Sequence, residues 1–212
     1  MKVTAPSLAP ILRSDAQGRI LARLLLDPEA SHSLSDLVTW SETSMPTVTR
    51  EVRRAEQAGL VTSKKIGPVR NVKARVDHPL YDAVRRIILA TYGPPIVVAE
   101  EFARITGARA TMLFGSWAAR YLGEPGREPN DIDVLVIGDV DRDEVEEAAE
   151  RAERRIGKPV TATVRTCSQW GSENETFVQQ VKSRPLLFVL GDSEEWSGAA
   201  FGEAETGLGD SR

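Results

Sequence analysis

Residues 110–137 read ATMLFGSWAARYLGEPGREPNDIDVLVI, and this stretch decides the fold of the second half of the chain. Ala110–Phe114 is an apolar run of strand length that ends on Gly115-Ser116, and the periodicity behind it predicts a helix over about Trp117–Leu122. A loop follows, and Ile132–Ile137 is a second apolar run, so the order is strand, tight turn, helix, loop, strand. Working outward, the pattern predicts helix Arg142–Ile156, strand Val160–Thr166, helix Glu175–Lys182 and strand Leu186–Leu190. Upstream, two helices are expected at about Leu80–Tyr92 and Ile96–Thr106, divided by Gly93-Pro94-Pro95. Alternating strands and helices make this an α/β domain.

The segment Leu113-Phe114-Gly115-Ser116 together with Asn130-Asp131-Ile132-Asp133-Val134 resembles the Gly-Ser and Asp-x-Asp motif pair of polymerase-beta-like nucleotidyltransferases in their minimal form, over about residues 96–191. The resemblance implies Gly115 and Ser116 as nucleotide-binding residues, and Asp131 and Asp133 as catalytic and metal-binding residues. A nucleoside triphosphate and Mg²⁺ (or Mn²⁺) are the implied cofactors. The chemistry fits that assignment. Glycine permits close approach of backbone to a phosphate, and a helix start offers N–H groups to an anion. Asp131 and Asp133 fall on one side of a strand, with Ile132 and Val134 expected toward the core, so two carboxylates can converge on a hard cation.

The family places a third carboxylate on a neighbouring strand. The matching strand, Val160–Thr166, offers only Thr161, Thr163 and Arg165 on its polar face, and a threonine hydroxyl cannot serve as a base near neutral pH. Glu173, Glu175 and the acids of helix 142–156 are the other candidates for that role. Nucleotide binding without turnover, and active transfer to RNA, protein or a small molecule, both stay open.

The first half reads differently. Ser14 and Gln17 have the spacing of a capping box ahead of a helix Asp15–Leu26 striped by Ile20, Leu21, Leu24 and Leu25. A short helix is expected after Ser33, with Leu34, Leu37 and Val38 inward and Trp40 closing its packing. A third is expected from the N-cap Ser44 with Pro46 in its first turn. In it Val48, Val52 and Ala55 face inward, while Thr47, Arg50, Arg53, Arg54 and Gln57 sweep the opposite side at about 100° per residue. Glu51 and Glu56 are expected nearer the flank. Gly59 should end the helix, and Leu60–Val76 reads as a hairpin whose tip carries Lys64, Lys65 and Arg70, with Val72, Ala74 and Val76 inward and Asn71, Lys73 and Arg75 outward.

Three helices and a basic hairpin resemble the winged helix-turn-helix of bacterial transcriptional regulators, over roughly residues 10–77. The resemblance implies duplex DNA as partner, with Thr47, Arg50, Arg53 and Arg54 on the recognition helix and Lys64, Lys65, Arg70 and Lys73 on the wing as DNA-binding residues. A homodimer is expected, because one small winged helix reads too few base pairs for tight specific binding. Both modules are common in toxin–antitoxin systems, which adds a possible protein partner.

Charge agrees with the division. Residues 1–79 hold 12 basic against 8 acidic residues, and residues 80–212 hold 15 against 23. Pro79 disfavours helix in the residue before it and marks the expected boundary. The fold class is α+β: a winged helix-turn-helix over 10–77, an α/β nucleotidyltransferase-like domain with a small mixed sheet and a helical lead-in over 80–191, and a flexible tail over 192–212. A single cysteine, Cys167, excludes an internal disulfide or a cysteine zinc cluster. No run has the roughly 18–20 apolar residues of a membrane span, and the first residues lack a signal-peptide pattern, so the expected setting is cytoplasmic and without membrane.

Overall fold

The computed structural model describes residues 12–127, 129–172, 174–192 and 196. The fold is α+β with two small sheets. The elements are α1 (Asp15–Leu25), β1 (Ser31–Ser33), α2 (Leu34–Ser41), α3 (Met45–Gln57), β2 (Val61–Ile66), β3 (Val69–Ala74), α4 (Tyr81–Tyr92), α5 (Pro94–Phe102), β4 (Ala108–Phe114), α6 (Gly115–Tyr121), β5 (Ile132–Gly138), α7 (Arg142–Ile156), β6 (Val160–Arg165), α8 (Cys167–Gly171), α9 (Thr176–Lys182) and β7 (Leu187–Leu190). The described residues form two compact units, one of those up to 101 with 150–158, the other of 102–149 with those from 159 onward.

In the first unit, Ile20, Leu24 and Leu25 of α1, Leu37 of α2, and Val48, Val52 and Ala55 of α3 share one core with Val61, Val72 and Ala74 of a three-stranded antiparallel sheet ordered β1-β3-β2. Helix α4 joins that core through Tyr81 and Ile88, and the Tyr81 hydroxyl donates to the Leu25 carbonyl at 2.8 Å. Helix starts differ in detail from the sequence pattern. Ser14 accepts from the Gln17 amide, but the Gln17 side chain returns to the Arg13 N–H (2.9 Å), one residue before the cap. Ser33 closes a full capping box with Asp36. Ser44 holds the N-cap backbone position, and its hydroxyl meets Thr47 Oγ1 at 3.1 Å in place of an amide.

Gly59 (φ +76°) ends α3 as expected. Gly67 (φ +60°) opens the two-residue link between Ile66 and Val69, the conformation that a tight hairpin of right-handed twist needs at its first loop residue. Val76 departs from expectation. Strand β3 stops at Ala74, so the inward alternation lapses and Val76 is exposed.

The second unit holds a four-stranded mixed sheet ordered β6-β5-β4-β7, with β5 and β6 parallel and the other pairs antiparallel. Strand β5 is buried on both sides, which a run as apolar as Ile132–Ile137 requires. Leu135 and Ile137 pack with Ala110, Met112, Trp170, Val178, Val181 and Trp196. Ile132, Val134 and Val136 point the other way and are also fully buried. Helix α8, which the periodicity passes over, is opened by a Thr166/Gln169 capping box. Of the expected flexible tail 192–212, Asp192 and Trp196 are described, and the rest lies outside the described residues.

Candidate functional site

The motif residues of the second unit come together at the junction of β4, α6 and β5. Phe114 pairs in register with Asp133, so Gly115 turns the chain directly beside that carboxylate. Gly115 has φ +71°, and a Cβ built there would overlap Asp133 Oδ2 and lie 3.1 Å from its Cγ. Glycine is therefore required twice, by backbone conformation and by space. Ser116, Asn130, Asp131 and Thr161 line one open cleft of about 650 Å³ together with Arg120 and Arg127.

Asp133 does not face away from the core as one-sided alternation suggests. It lies at the open end of the face that also carries Leu135 and Ile137, half-buried, whereas Asp131 is exposed just ahead of the strand. Burial first, and the Asp131 carboxylate second, push the Asp133 pKa above its ordinary value. A cation between the two carboxylates would reverse both effects.

Asp133 is in register with Thr161 on the parallel neighbour β6, the position at which the resemblance noted from the sequence implies a third carboxylate. Glu175 does not fill it. Its Oε1 accepts from Arg165 Nε at 2.5 Å, and Arg165 is paired in register with Ile137, four residues or about 13 Å along the strands from Asp133. Glu173 lies outside the described residues. Among the described residues no group of three or more His, Cys, Asp or Glu side chains could hold a metal by itself. Two carboxylates are too few for an all-protein cage, but Mg²⁺ is commonly held by one or two carboxylates plus substrate phosphates. The donor set therefore fits a metal–nucleotide pair.

Arg120 was not singled out by the motifs. Its Nη1 donates to the Glu124 and Pro125 carbonyls, and Gly126 (φ +155°) leaves room for the guanidinium, so this side chain pins the loop between α6 and β5. The legible signal was the Gly123-Glu124-Pro125-Gly126 turn beside an arginine.

In the first unit the basic residues divide into two groups. Glu51 is buried, not on the flank, and its Oε1 accepts from Arg54 Nη1 at 2.5 Å and Arg50 Nε at 3.3 Å. Arg70 is tied to Glu56 (2.6 Å) and Ser63 (3.1 Å). Burial raises the Glu56 pKa, but the hydrogen bonds from Arg70 and Ser63 and the Arg70 charge outweigh it and leave the pKa below its ordinary value. Lys73 lies 3.6 Å from the exposed Glu29. Thr47 is half-buried and holds Ser44. Arg53, Lys64 and Lys65 are exposed, with no carboxylate of the described residues in ion-pair distance.

Among the described residues no helix is long and apolar enough to cross a membrane. No family model matches the chain, and no curated protein matches it. Among solved structures, a crystal structure of a toxin–antitoxin with AMP-PNP is similar at 19% identity and a TM-score of 0.36, over 48% of this chain and 76% of that one. A likeness of that depth says nothing of function.

Proposed function

We propose that the chain is a DNA-binding regulator, active as a homodimer, whose second compact unit is nucleotidyltransferase-like and binds a nucleoside triphosphate with Mg²⁺ or Mn²⁺ without turning it over, the helices α4 and α5 of the expected lead-in belonging to the first unit. The observation that carries the nucleotide reading is Gly115 pressed against Asp133, with Ser116 and Asp131 lining the adjoining cleft. Glycine at φ +71° lets backbone approach a phosphate, and the two aspartates supply hard oxygen ligands to an ion that the phosphates also hold. Thr161 in register with Asp133 supports binding over catalysis, since the group beside the reacting atoms there cannot take a proton near neutral pH. For the first module (10–77), support for duplex DNA comes from exposed cations on α3 and the hairpin, the elements that a winged helix-turn-helix presents to a groove and to phosphate.

Titration calorimetry with each of the four common ribonucleoside triphosphates, with and without Mg²⁺, tests the nucleotide reading, and a pyrophosphate assay runs beside it. Metal-dependent binding that Asp131→Asn with Asp133→Asn abolishes, with negligible pyrophosphate, is the expected result. Binding of none of them in the presence of metal overturns the site reading. Rapid pyrophosphate release by the wild type overturns the absence of turnover and favours active transfer.

A further inference from the structure

The first unit holds a second cavity, of about 930 Å³, far larger than a water site and sharing no lining residue with the cleft at Ser116 and Asp131. Five arginines line it: Arg19, Arg23, Arg151, Arg154 and Arg155. Four of them meet carboxylates. Arg19 pairs with Asp15 and Glu42, Arg151 with Glu101, Arg154 with Glu150, and Arg155 with Glu100 and Glu101. Arg23 alone among the five has no carboxylate of the described residues within ion-pair distance.

Its surroundings fix it in place without neutralising it. The Arg23 guanidinium lies 4.3 Å over the Trp40 ring, and Nη1 donates to the Gly157 carbonyl at 3.2 Å. Gly157 has φ +76°, and a Cβ there would overlap the guanidinium and come within 2.9 Å of Trp40. Asp27 and Asp36 act on the guanidinium only from beyond ion-pair distance, and Asp36 accepts from the Ser33 amide at 2.9 Å and is committed to the cap of α2. The Arg23 side chain is half-buried, and a partly desolvated guanidinium with no carboxylate in ion-pair distance favours an anion beside it. Burial does depress the Arg23 pKa, against the weaker pull of Asp27 and Asp36.

His32 adds an independent observation. It also lines this cavity, is 7% exposed, and its Nε2 is buried with no hydrogen-bond partner. Burial and the Arg23 charge hold its pKa below the ordinary value, again against Asp27 and Asp36. An arginine with no carboxylate of the described residues in ion-pair distance and an imidazole whose buried Nε2 has no partner thus line one cavity.

We infer that this cavity binds a small molecule through an oxyanion, a carboxylate or a phosphate, which pairs with Arg23 over Trp40 and is felt by His32. The anion supplies the charge that Arg23 lacks and cancels the guanidinium's effect on the imidazole, so His32 gains proton affinity on binding. The site belongs to the unit that carries α3, which makes it an effector site distinct from the metal–nucleotide cleft.

The chain has two histidines, so imidazole nitrogen NMR separates His32 from His78. Inorganic phosphate, adenosine monophosphate and benzoate are titrated into the full-length protein without divalent metal, against sodium chloride at matched ionic strength. A saturable shift of the His32 signals with at least one probe is expected, with an upward move of its titration midpoint and little change at His78. Phosphate or the nucleotide acting alone assigns a phosphate ligand, and benzoate acting alone a carboxylate. Arg23→Gln should weaken the effective probe at least tenfold, and Arg23→Lys, which keeps the charge, should retain part of the affinity. Absence of a saturable His32 shift with all three probes, or equal shifts in wild type and a folded Arg23→Gln, overturns the proposal. Because metal is omitted and Asp131 and Asp133 are untouched, these outcomes are separable from failure of the nucleotide cleft.

Discussion

Gly115 and Asp133 are locked together: the backbone of one at φ +71° occupies the space beside the carboxylate of the other, and a single added methyl would collide with Asp133 Oδ2. Gly115→Ala should therefore act on both fold and site. A left-handed conformation costs a residue with a Cβ about 1–2 kcal/mol, and forced overlap adds a similar amount. The variant should unfold at lower temperature by an amount equivalent to about 2–4 kcal/mol and bind metal–nucleotide weakly, as calorimetry and thermal melts would show. Wild-type stability in Gly115→Ala would contradict the packing described.

Asp133→Asn separates stability from ligand binding. The native Asp133 pKa is raised, by burial and then by Asp131, so the native state favours the protonated form relative to the unfolded chain. That contribution is fully present below the unfolded carboxylate pKa of about 3.9 and is lost as pH rises through the native value. Without metal, asparagine removes the penalty, and the Tm of the variant minus that of the wild type should grow more positive from pH 4 to pH 7. With Mg²⁺ and a binding nucleoside triphosphate the order should reverse, since only the wild type gains from the ligand. A Tm difference that is flat with pH would contradict the assigned cause.

How much of this was legible in the sequence depends on the range of the interaction involved. The stripe Val48, Val52, Ala55, the stop at Gly59 and the apolar run of β5 are local patterns, and the structure repeats them. That Gly115 comes to lie beside Asp133 has the same origin, because two short motifs are joined by one register pair, Phe114 with Asp133. Strand β1 was missed because three residues cannot show alternation, and it exists only by pairing with β3. Glu51 was placed on the flank because its polarity argues for water, and its burial depends on arginines that bend back over it. The core behind Asp133 was hidden since Met112 and Trp170 reach Leu135 and Ile137 only through distant pairing.

Thr161 tests the proposed absence of turnover. It is the residue of β6 in register with Asp133, and it lines the cleft with Ser116 and Asp131. Thr161→Asp would place a carboxylate where it can take the proton of an acceptor hydroxyl as that oxygen attacks the α-phosphorus and pyrophosphate leaves. General-base assistance contributes about 10²–10⁴-fold where geometry is right. At least a tenfold rise in Mg²⁺-dependent pyrophosphate release is expected even with imperfect placement. An unchanged rate with nucleotide binding intact would mean that the missing acid is not what limits turnover.

The DNA-binding variants have to be chosen by ion pairing as well as by exposure. Arg54 is an attractive target from its helical face, yet its Nη1 meets Glu51, whose side chain is only 4% exposed, at 2.5 Å. Arg54→Ala leaves a buried carboxylate with only the longer Arg50 contact, and should lower stability by on the order of 2 kcal/mol, so a loss of DNA binding in that variant would be ambiguous. Arg53, Lys64 and Lys65 carry no such role among the described residues. Alanine at these three positions should leave the Tm within about 1 kcal/mol equivalent of wild type. If Lys64 and Lys65 each neutralise a phosphate, the double variant should bind duplex DNA more weakly across all sequences, with the slope of log K against log salt reduced by about 2. Arg53→Ala should instead weaken a preferred sequence more than a random one, by about 1–3 kcal/mol if it reaches a base edge. Electrophoretic or fluorescence titrations at several salt concentrations measure both quantities. A salt slope unchanged by loss of both lysines would remove the hairpin from the interface, and binding to DNA that is absent in the folded wild type would remove the DNA reading altogether.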